Sequence, residues 1–494
     1  MTTPDIRIRA LNAAPPNPDG FFVLYWMIAN RRLRHNFALE RAVELANERG
    51  KPLVILEALG VRHPWATARA HRFILDGIAE RRATLQRGPA TYYPYCERSP
   101  GEARGLLAAL AQRAVAVITD DNPSFIYPKL LRRAARELTV RLEAVDSNGL
   151  SPLAEQEKAY TSAYQFRRFL QKTLPARLLE APAPEPLTAL RHKTAVALDK
   201  KITQRWPALT AKELGDLDTL IAGLPLDHSV APTALRGGET AAREALALFL
   251  SRRLDTYDER RNYPAEAATS GLSPYLHFGM ISTHEIVAAV ATAERWQPGK
   301  LSESASGARA GWWGMSDGAE AFLDQLVTWR ELGFNMCAQR HDYDQYSSLP
   351  EWAQATLSEH ARDPRPYRYS LEDFELARTH DELWNAAQRQ LVREGVIHNY
   401  LRMLWGKKIL HWSKSPRTAL GIMIELNNKY ALDGRDPNSY SGIFWILGRY
   451  DRPWGPEREI FGTVRYMTSE NTARKFPVRE YLARYAERAQ AALL

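Results

Sequence analysis

A nearly continuous apolar run at residues 21–29, FFVLYWMIA, constrains the fold of this chain more than any other segment. Such a run is typical of a central strand in a parallel sheet, because helices cover that strand on both faces. Further strands are predicted at 52–59, 90–96, 114–120 and 140–145, and helices at 36–49, 71–87, 101–113 and 128–137. This alternation predicts an α/β domain with a parallel, Rossmann-like sheet over residues 5–150.

The rest of the chain shows a different pattern. The segment 179–186, LEAPAPEP, is rich in proline and predicts a stiff, exposed connection. Strand signals fade after about residue 239, and amphipathic helical patterns follow them. We therefore expect an interdomain connector over residues 151–238 and an all-α domain over residues 239–490.

Composition limits the class of protein. The 494 residues carry 66 Lys and Arg against 57 Asp and Glu, and this basic balance is a weak indication of a polyanionic partner. Cys96 and Cys337 form no CxxC pair, so a reducing compartment is expected. No apolar run approaches the roughly 18 residues of a membrane span, and the first residues lack the apolar core of a signal peptide. These features predict a cytoplasmic protein without a membrane span.

The usual nucleotide and metal motifs are missing from the sequence. Neither GxGxxG after the first strand nor GxxxxGK[ST] occurs, so the sequence does not specify a ligand for the α/β domain. HExxH and Cys/His clusters with metal-ligand spacing are also missing. We therefore predict no metal site.

A hydroxyl-rich segment, TSGLSPYLHFG at 269–279, stands at the start of a predicted helix. Thr269, Ser270 and Ser273 surround a glycine there, and hydroxyls with free backbone N–H groups can bind an anion. The alternative is a plain helix N-cap, which this segment alone favours.

Tryptophan is frequent in the C-terminal part of the chain. Gln325 and Trp329 are four residues apart and share a helix face, which suits either a flat heterocycle or a contact between helices. Trp405 and Trp412 are seven residues apart, so they lie on one helix face about 10 Å apart along the axis. Spacing alone favours core packing for this second pair.

Five long motifs carry a resemblance to a known family. They are LWNAAQ at 383–388, IHNYLRMLWGKKILHW at 397–412, LNNKYALDGRDPN at 426–438, YSGIFWILG at 440–448 and FGTVRYM at 461–467. In this order the motifs resemble the DNA photolyase/cryptochrome superfamily, and within it the class II cyclobutane pyrimidine dimer photolyases. The resemblance spans most of the chain, including the first strand with its YWM.

The resemblance implies a helical domain that binds FAD and an α/β domain that often carries an antenna chromophore, a deazaflavin or a folate. The positions that match the family's FAD-binding residues are Tyr257, Thr269, Ser270, Leu272, Ser273, Arg402, Asn427 and Asp433. Asn427 matches the carboxamide beside the flavin N5 atom, and Arg402 and Asp433 match an ion pair against the ring system. Trp384, Trp405 and Trp412 match a chain that carries electrons from the surface to the flavin.

The resemblance also implies a DNA lesion site. Trp329 and Trp445 match residues that stack on a flipped dimer, Met403 matches a contact to it, and Arg465 matches the arginine that enters the gap in the duplex. Gln325 departs from the family pattern, because many members have a glutamate there; glutamine can form hydrogen bonds but cannot titrate. Two basic clusters could contact phosphates, with a solvated surface as the alternative: Arg465, Arg474 and Lys475, and Lys407, Lys408, Lys414 and Arg417.

The resemblance predicts a light-driven enzyme, a deoxyribodipyrimidine photolyase that acts as a monomer on UV-damaged double-stranded DNA. Its alternative is a cryptochrome-like photoreceptor with weak or no repair, although such proteins often carry a long C-terminal extension and this chain stops at residue 494. A nucleotide-dependent ligase or transferase would explain the α/β domain and leave the tryptophan-rich half unexplained.

Overall fold

Six strands form one sheet in the first part of the chain. The structure is a computed structural model that describes residues 2–487. The strands are β1 (Ile8–Ala10), β2 (Phe22–Trp26), β3 (Leu53–Leu59), β4 (Thr91–Cys96), β5 (Ala114–Asp120) and β6 (Leu142–Val145). They lie in the order β1-β6-β5-β2-β3-β4, and every neighbouring pair is parallel except β1 and β6.

The strand β2 lies at the centre because its side chains are apolar on both faces. Phe22, Leu24 and Trp26 pack into one core with the helices on that side. Val23 and Tyr25 pack into a second core on the opposite face. Two buried faces are what an uninterrupted apolar run predicts for a parallel strand, and the predicted α/β architecture is confirmed.

The strand β1 is missing from the sequence prediction. It is a three-residue edge strand that pairs antiparallel with β6, and two of its residues are exposed. A segment this short, with little buried surface, has no apolar periodicity to reveal it.

Helices make up most of the remaining regular structure. They are α1 (Phe37–Glu48), α2 (Ala68–Leu85), α3 (Leu106–Ala111), α4 (Tyr127–Glu137), α5 (Ala163–Arg177), α6 (Lys200–Arg205), α7 (Ala211–Gly215), α8 (Leu217–Ala222), α9 (Glu239–Arg252), α10 (Tyr257–Arg260), α11 (Ser273–His277), α12 (Thr283–Ala293), α13 (Asp317–Leu323), α14 (Arg330–Gln339), α15 (Glu351–Glu359), α16 (Leu371–Glu375), α17 (Glu382–Glu394), α18 (Asn399–Trp412), α19 (Pro416–Tyr430), α20 (Pro437–Ile446), α21 (Ser469–Lys475) and α22 (Arg479–Arg484). Within residues 2–487, none is both long enough and apolar enough to cross a membrane.

The chain forms two compact units. The first contains the sheet and comprises residues 2–158, 170–250 and 271–305. The second is helical and comprises residues 159–169, 251–270 and 306–487. Each unit is therefore built from segments that are separate in sequence, and the all-α character predicted for the C-terminal part is confirmed.

Candidate functional site

Three tryptophans of the second unit form one buried cluster, which we call the tryptophan cluster. Trp384, Trp405 and Trp412 are 0%, 1% and 1% exposed. The Trp384 indole N–H donates to the Trp405 carbonyl oxygen at 3.0 Å, and the Trp384 and Trp412 rings lie 6.1 Å apart. The Gln388 side-chain oxygen accepts a hydrogen bond from the Trp405 indole N–H at 2.9 Å. The helices α17 and α18 thus bring together residues that sequence spacing could not pair.

Further aromatic rings lead from Trp412 towards the surface. Its ring lies 5.6 Å from Tyr369 and 4.9 Å from His380, and Tyr367 stacks on His380 at 3.7 Å. Tyr367 is 46% exposed. The resemblance implied a tryptophan chain that carries electrons from the surface; Trp412 is itself enclosed, because these rings cover it. The exposed rings of this group are those of Tyr367 and His380.

Arg402 and Asp433 form the predicted ion pair. The Arg402 Nη2 atom lies 2.9 and 3.1 Å from the two carboxylate oxygens. Asp433 reaches this position because the chain turns sharply after α19: a Cβ on Gly434 would lie only 2.7 Å from the Asn427 carbonyl oxygen. The Arg402 Nε atom is buried and has no hydrogen-bond partner among the described residues. This pair therefore still offers a donor to a ligand.

Asn427 is buried on α19, and hydrogen bonds within the protein fix the nitrogen of its side-chain amide. Its Nδ2 atom donates to the Ser439 hydroxyl at 2.7 Å and to the Asn428 side-chain oxygen at 3.3 Å. Both amide hydrogens are thereby used within the protein, so the Asn427 side-chain oxygen is the atom left for a ligand donor. A flavin N5–H group is a donor of the kind that such an oxygen accepts.

Tyr257 lies on α10 within the second unit and is buried. Its ring meets Phe322 edge-on at 5.6 Å, and the Arg261 guanidinium lies 5.7 Å from the ring centre. The Arg261 carbonyl oxygen contacts the His398 Nε2 atom at 3.0 Å, while the buried Nδ1 atom has no partner among the described residues. Burial lowers the pKa of His398 to about 4, so this imidazole is neutral near pH 7.

The hydroxyl-rich segment leads into the helix α11, which starts at Ser273. The N-cap residue is Leu272, whose side chain forms no capping hydrogen bond, so none of the three predicted hydroxyl residues occupies the N-cap position. Thr269 and Ser270 belong to the second unit, whereas Leu272 and Ser273 belong to the first, and their predicted role at FAD stays a prediction.

Gln325 and Trp329 lie on a π-helical turn, Asp324–Trp329, between α13 and α14. Both are half-buried while Leu326, Val327 and Thr328 between them are buried. The sequence predicted a regular helix, but the wider turn still leaves the two side chains on one accessible face. Turns of this kind are frequent at functional sites.

Met403, Trp445 and Arg465 also come together. The Met403 methyl carbon lies 3.7 Å from the position of a Cβ on Gly442, which places α18 against α20 near Trp445. The exposed Arg465 guanidinium lies 5.6 Å from the Trp445 ring centre and 4.8 Å from that of Trp454. Three of the four predicted lesion residues thus share one region, and Trp329 contacts Tyr450 at 6.5 Å.

Several contributors to this site were missed from the sequence. Gln388, Ser439 and His398 hold or border predicted site residues, and of these Gln388 was visible one helical turn after Trp384 in LWNAAQ. Lys407 and Lys408 were grouped with phosphate-binding or solvated residues. Both interpretations are wrong for these two lysines, because both are buried.

The second unit therefore combines a buried aromatic relay, an ion pair with a spare donor and a fixed carboxamide. On the same chain as a parallel α/β sheet, this arrangement fits a protein that moves electrons to or from a planar cofactor. The orphaned Arg402 Nε and the available Asn427 oxygen fit FAD by their donor and acceptor character.

Known proteins share this sequence and fold. The family model for DNA photolyase matches residues 23–187. A deoxyribodipyrimidine photo-lyase from Methanothermobacter thermautotrophicus is 34% identical over 97% of this chain and 97% of its own. The proteins of the same name from Arabidopsis thaliana and Potorous tridactylus are 34% and 32% identical over 93% of this chain, covering 88% and 80% of their own. A bacterial class III photolyase from Agrobacterium tumefaciens shares the fold, with a TM-score of 0.67 at 19% identity over 94% of this chain and 86% of its own.

The chain belongs to the DNA photolyase family. The predicted superfamily and the prediction of an enzyme of the photolyase class are confirmed. Membership of class II, the antenna chromophore and the roles of individual site residues stay predictions.

Proposed function

We propose that this protein is a deoxyribodipyrimidine photolyase that repairs cyclobutane pyrimidine dimers in DNA with energy from light. The observation that carries this proposal is the 34% identity over 97% of both chains to a protein of that name. That similarity includes the helices that hold the ion pair, the carboxamide and the tryptophan cluster.

The second unit would hold FAD through groups with suitable charge and hydrogen-bonding character. Reduced FAD, when bound, supplies the electron that opens the cyclobutane ring. The Arg402 guanidinium favours an anionic ligand by Coulomb attraction in a buried site, and Asp433 keeps that guanidinium in place. The Asn427 side-chain oxygen accepts a hydrogen bond, and Ser439 sets its orientation.

The tryptophan cluster would deliver electrons to the cofactor from solvent. Indole has a low ionisation energy for a side chain, and the short distance between Trp384 and Trp412 suits stepwise transfer. The enclosed Trp412, once oxidised, would take an electron from Tyr369. The Tyr369 hydroxyl is hydrogen-bonded to the His380 Nδ1 atom at 2.7 Å. The imidazole can take the phenolic proton as the tyrosine is oxidised.

The lesion would bind at the half-buried aromatic face of α20 and the π-helical turn. Extruding a dinucleotide costs a few kcal/mol of lost stacking, and each indole returns roughly 1–3 kcal/mol per stacked base. Trp329 and Trp445 are half-buried indoles that would stack on the bases, and Arg465 is exposed beside Trp445. Gln325 would donate an N–H to a base without titrating, so it introduces no pH step of its own.

The test is illumination of the reduced protein with duplex DNA that contains a thymine dimer. We expect loss of dimers in the light and none in the dark. Trp445→Ala should weaken dimer binding by about five- to a hundredfold, because one stacking platform is lost. Trp296→Ala, which removes a half-buried tryptophan of the first unit, serves as the matched control and should bind like the parent.

Two results would contradict the proposal. Protein that stays colourless after reconstitution with FAD has no flavin site. Flavin absorbance and photoreduction without any loss of dimers would indicate a photoreceptor. If the parent repairs dimers and Trp445→Ala binds dimer-containing DNA as tightly as the parent does, the lesion-site assignment is wrong and the proposed function stands.

A further inference from the structure

Lys407 is a fully buried lysine on α18 whose ammonium group contacts α20. Its side chain is 0% exposed, and Nζ donates a hydrogen bond to the Ile446 carbonyl oxygen at 2.6 Å. The same Nζ lies 5.1 Å from the ring centre of Trp445. Burying an ammonium group costs free energy unless the group is paired, so the groups that Lys407 contacts indicate its structural role.

The carbonyl that Lys407 binds belongs to the last residue of α20. Helix C-termini leave carbonyl oxygens without intrahelical partners. In α20 the Phe444 oxygen accepts from Leu447 and Arg449, and the Trp445 oxygen accepts from Gly448. The Ile446 oxygen receives its hydrogen bond from Lys407. The ammonium thus completes the helix end and places a positive charge at the negative end of the helix dipole.

The tight contact between α18 and α20 makes this bond possible. A Cβ on Gly406 would lie 2.0 Å from the terminal methyl carbon of Ile446, so any other residue there would have to displace the Ile446 side chain. The next residue along α18 is Lys407, and its side chain therefore reaches the end of α20. Lys408 instead pairs with Asp381 at 3.3 Å and lies 5.2 Å from the Trp412 ring. The two adjacent lysines thus serve different tryptophans.

We propose that Lys407 is a positioning residue of the lesion site: it holds the end of α20 and the Trp445 indole so that the ring is presented to the damaged bases. This inference rests on the proposed function. Lys407 acts through Trp445 and is itself too buried to touch DNA. A cation near an indole is worth more when it is shielded from water, as the Lys407 ammonium is here.

The charge of Lys407 responds to its surroundings. Burial lowers its pKa to about 7; Asp451 favours the ammonium and Arg465 disfavours it. These two charged groups face it from the segment that follows α20. Approaching DNA phosphates stabilise the ammonium, so binding above pH 7 takes up a proton. Affinity for dimer-containing duplex should therefore fall as the pH rises through 7.

The experiment measures the dissociation constants of full-length, FAD-loaded protein for dimer-containing and undamaged duplexes at about pH 6 and about pH 8.5. For Lys407→Met we expect dimer affinity at the lower pH to fall about three- to thirtyfold, with the pH dependence lost. Lys414→Met removes one exposed lysine after the same helix and controls for the lost charge. It should weaken both duplexes by the same small factor and keep the pH dependence.

The outcomes separate this inference from the proposed function. If the parent binds both duplexes equally, the proposed function fails. If the parent discriminates and Lys407→Met equals it at both pH values, the positioning role fails and the function stands. If Lys407→Met loses its flavin or its cooperative melting, the test uses the pH dependence of DNA binding by the parent protein. A ratio of the parent's affinities for dimer-containing and undamaged duplexes that does not change with pH would overturn the role of Lys407.

Discussion

The environment of Trp412 bears on the electron-transfer role that we propose for it. It is 1% exposed and touches the rings of Trp384, Tyr369 and His380. A terminal electron donor must exchange charge with solvent, and an enclosed indole cannot do so directly. In the route that we propose, Tyr369 and the exposed rings of His380 and Tyr367 would connect Trp412 to solvent.

Replacing Trp412 with phenylalanine should slow photoreduction of oxidised FAD. Phenylalanine keeps the packing volume but is much harder to oxidise, and a barrier higher by only about 1.4 kcal/mol slows a step about tenfold. The measurement is the rate of flavin bleaching in blue light with an external reductant. Trp206→Phe, at a buried tryptophan of the first unit, is the control. Equal rates in both variants would remove Trp412 from the route.

At the scale of elements, the close contact between α18 and α20 depends on a glycine, which has no side chain to separate the two helices. Gly406 faces Ile446 and the Met423 sulfur, and a Cβ there would lie 2.0 and 3.0 Å from them. Gly421 on α19 has open space in the same position. The two helical glycines therefore differ only in what surrounds them.

Substituting alanine at these two sites should change stability in opposite directions. Gly406→Ala should lower the free energy of unfolding by about 1–3 kcal/mol, because the buried Ile446 and Met423 side chains must shift to make room for the new methyl group. Gly421→Ala should raise it by about 0.5–1 kcal/mol, because alanine favours the helix. Chemical denaturation of both variants measures the difference. An increase for Gly406→Ala would show that this contact is looser than described.

At the scale of the molecule, a buried acid in the first unit ties stability to pH. The Glu239 carboxylate accepts a hydrogen bond from the Leu33 backbone N–H at 2.9 Å. Burial raises its pKa to about 7, although Arg81 opposes the rise. Between its ordinary pKa of 4.5 and pH 7, the folded protein holds a proton that the unfolded chain has lost. Glu239 therefore lowers the free energy of unfolding above pH 7, and it has no such effect below pH 4.5.

Glu239→Gln should accordingly be more stable than the parent at about pH 8, by up to about 3 kcal/mol, and not at about pH 4.5. Glutamine keeps the oxygen that accepts from Leu33 and carries no charge to bury. Thermal melting across this range measures the effect. Glu303→Gln, at an exposed glutamate of the same unit, should show no pH-dependent difference from the parent. A difference in melting temperature between Glu239→Gln and the parent that is the same at every pH would contradict the role of the Glu239 charge.

Much of the fold could be predicted from the sequence. The apolar run at 21–29 became β2, with side chains buried on both faces. The motifs were sufficient to identify the family, because they are long and in order. The edge strand β1 and the π-helical turn were missed, since neither has a local periodicity of its own.

The sequence by itself determined the alternation of strands and helices and the family of the chain, because both depend on patterns within short stretches of the chain. Only the tertiary structure decided which atoms meet. Lys407 and Ile446 are 39 residues apart, and Arg402 and Asp433 are 31 apart. Whether a lysine lies on the surface or holds the end of another helix depends on how α18 and α20 pack. Packing between distant segments is a property of the whole fold and leaves no local pattern in the chain.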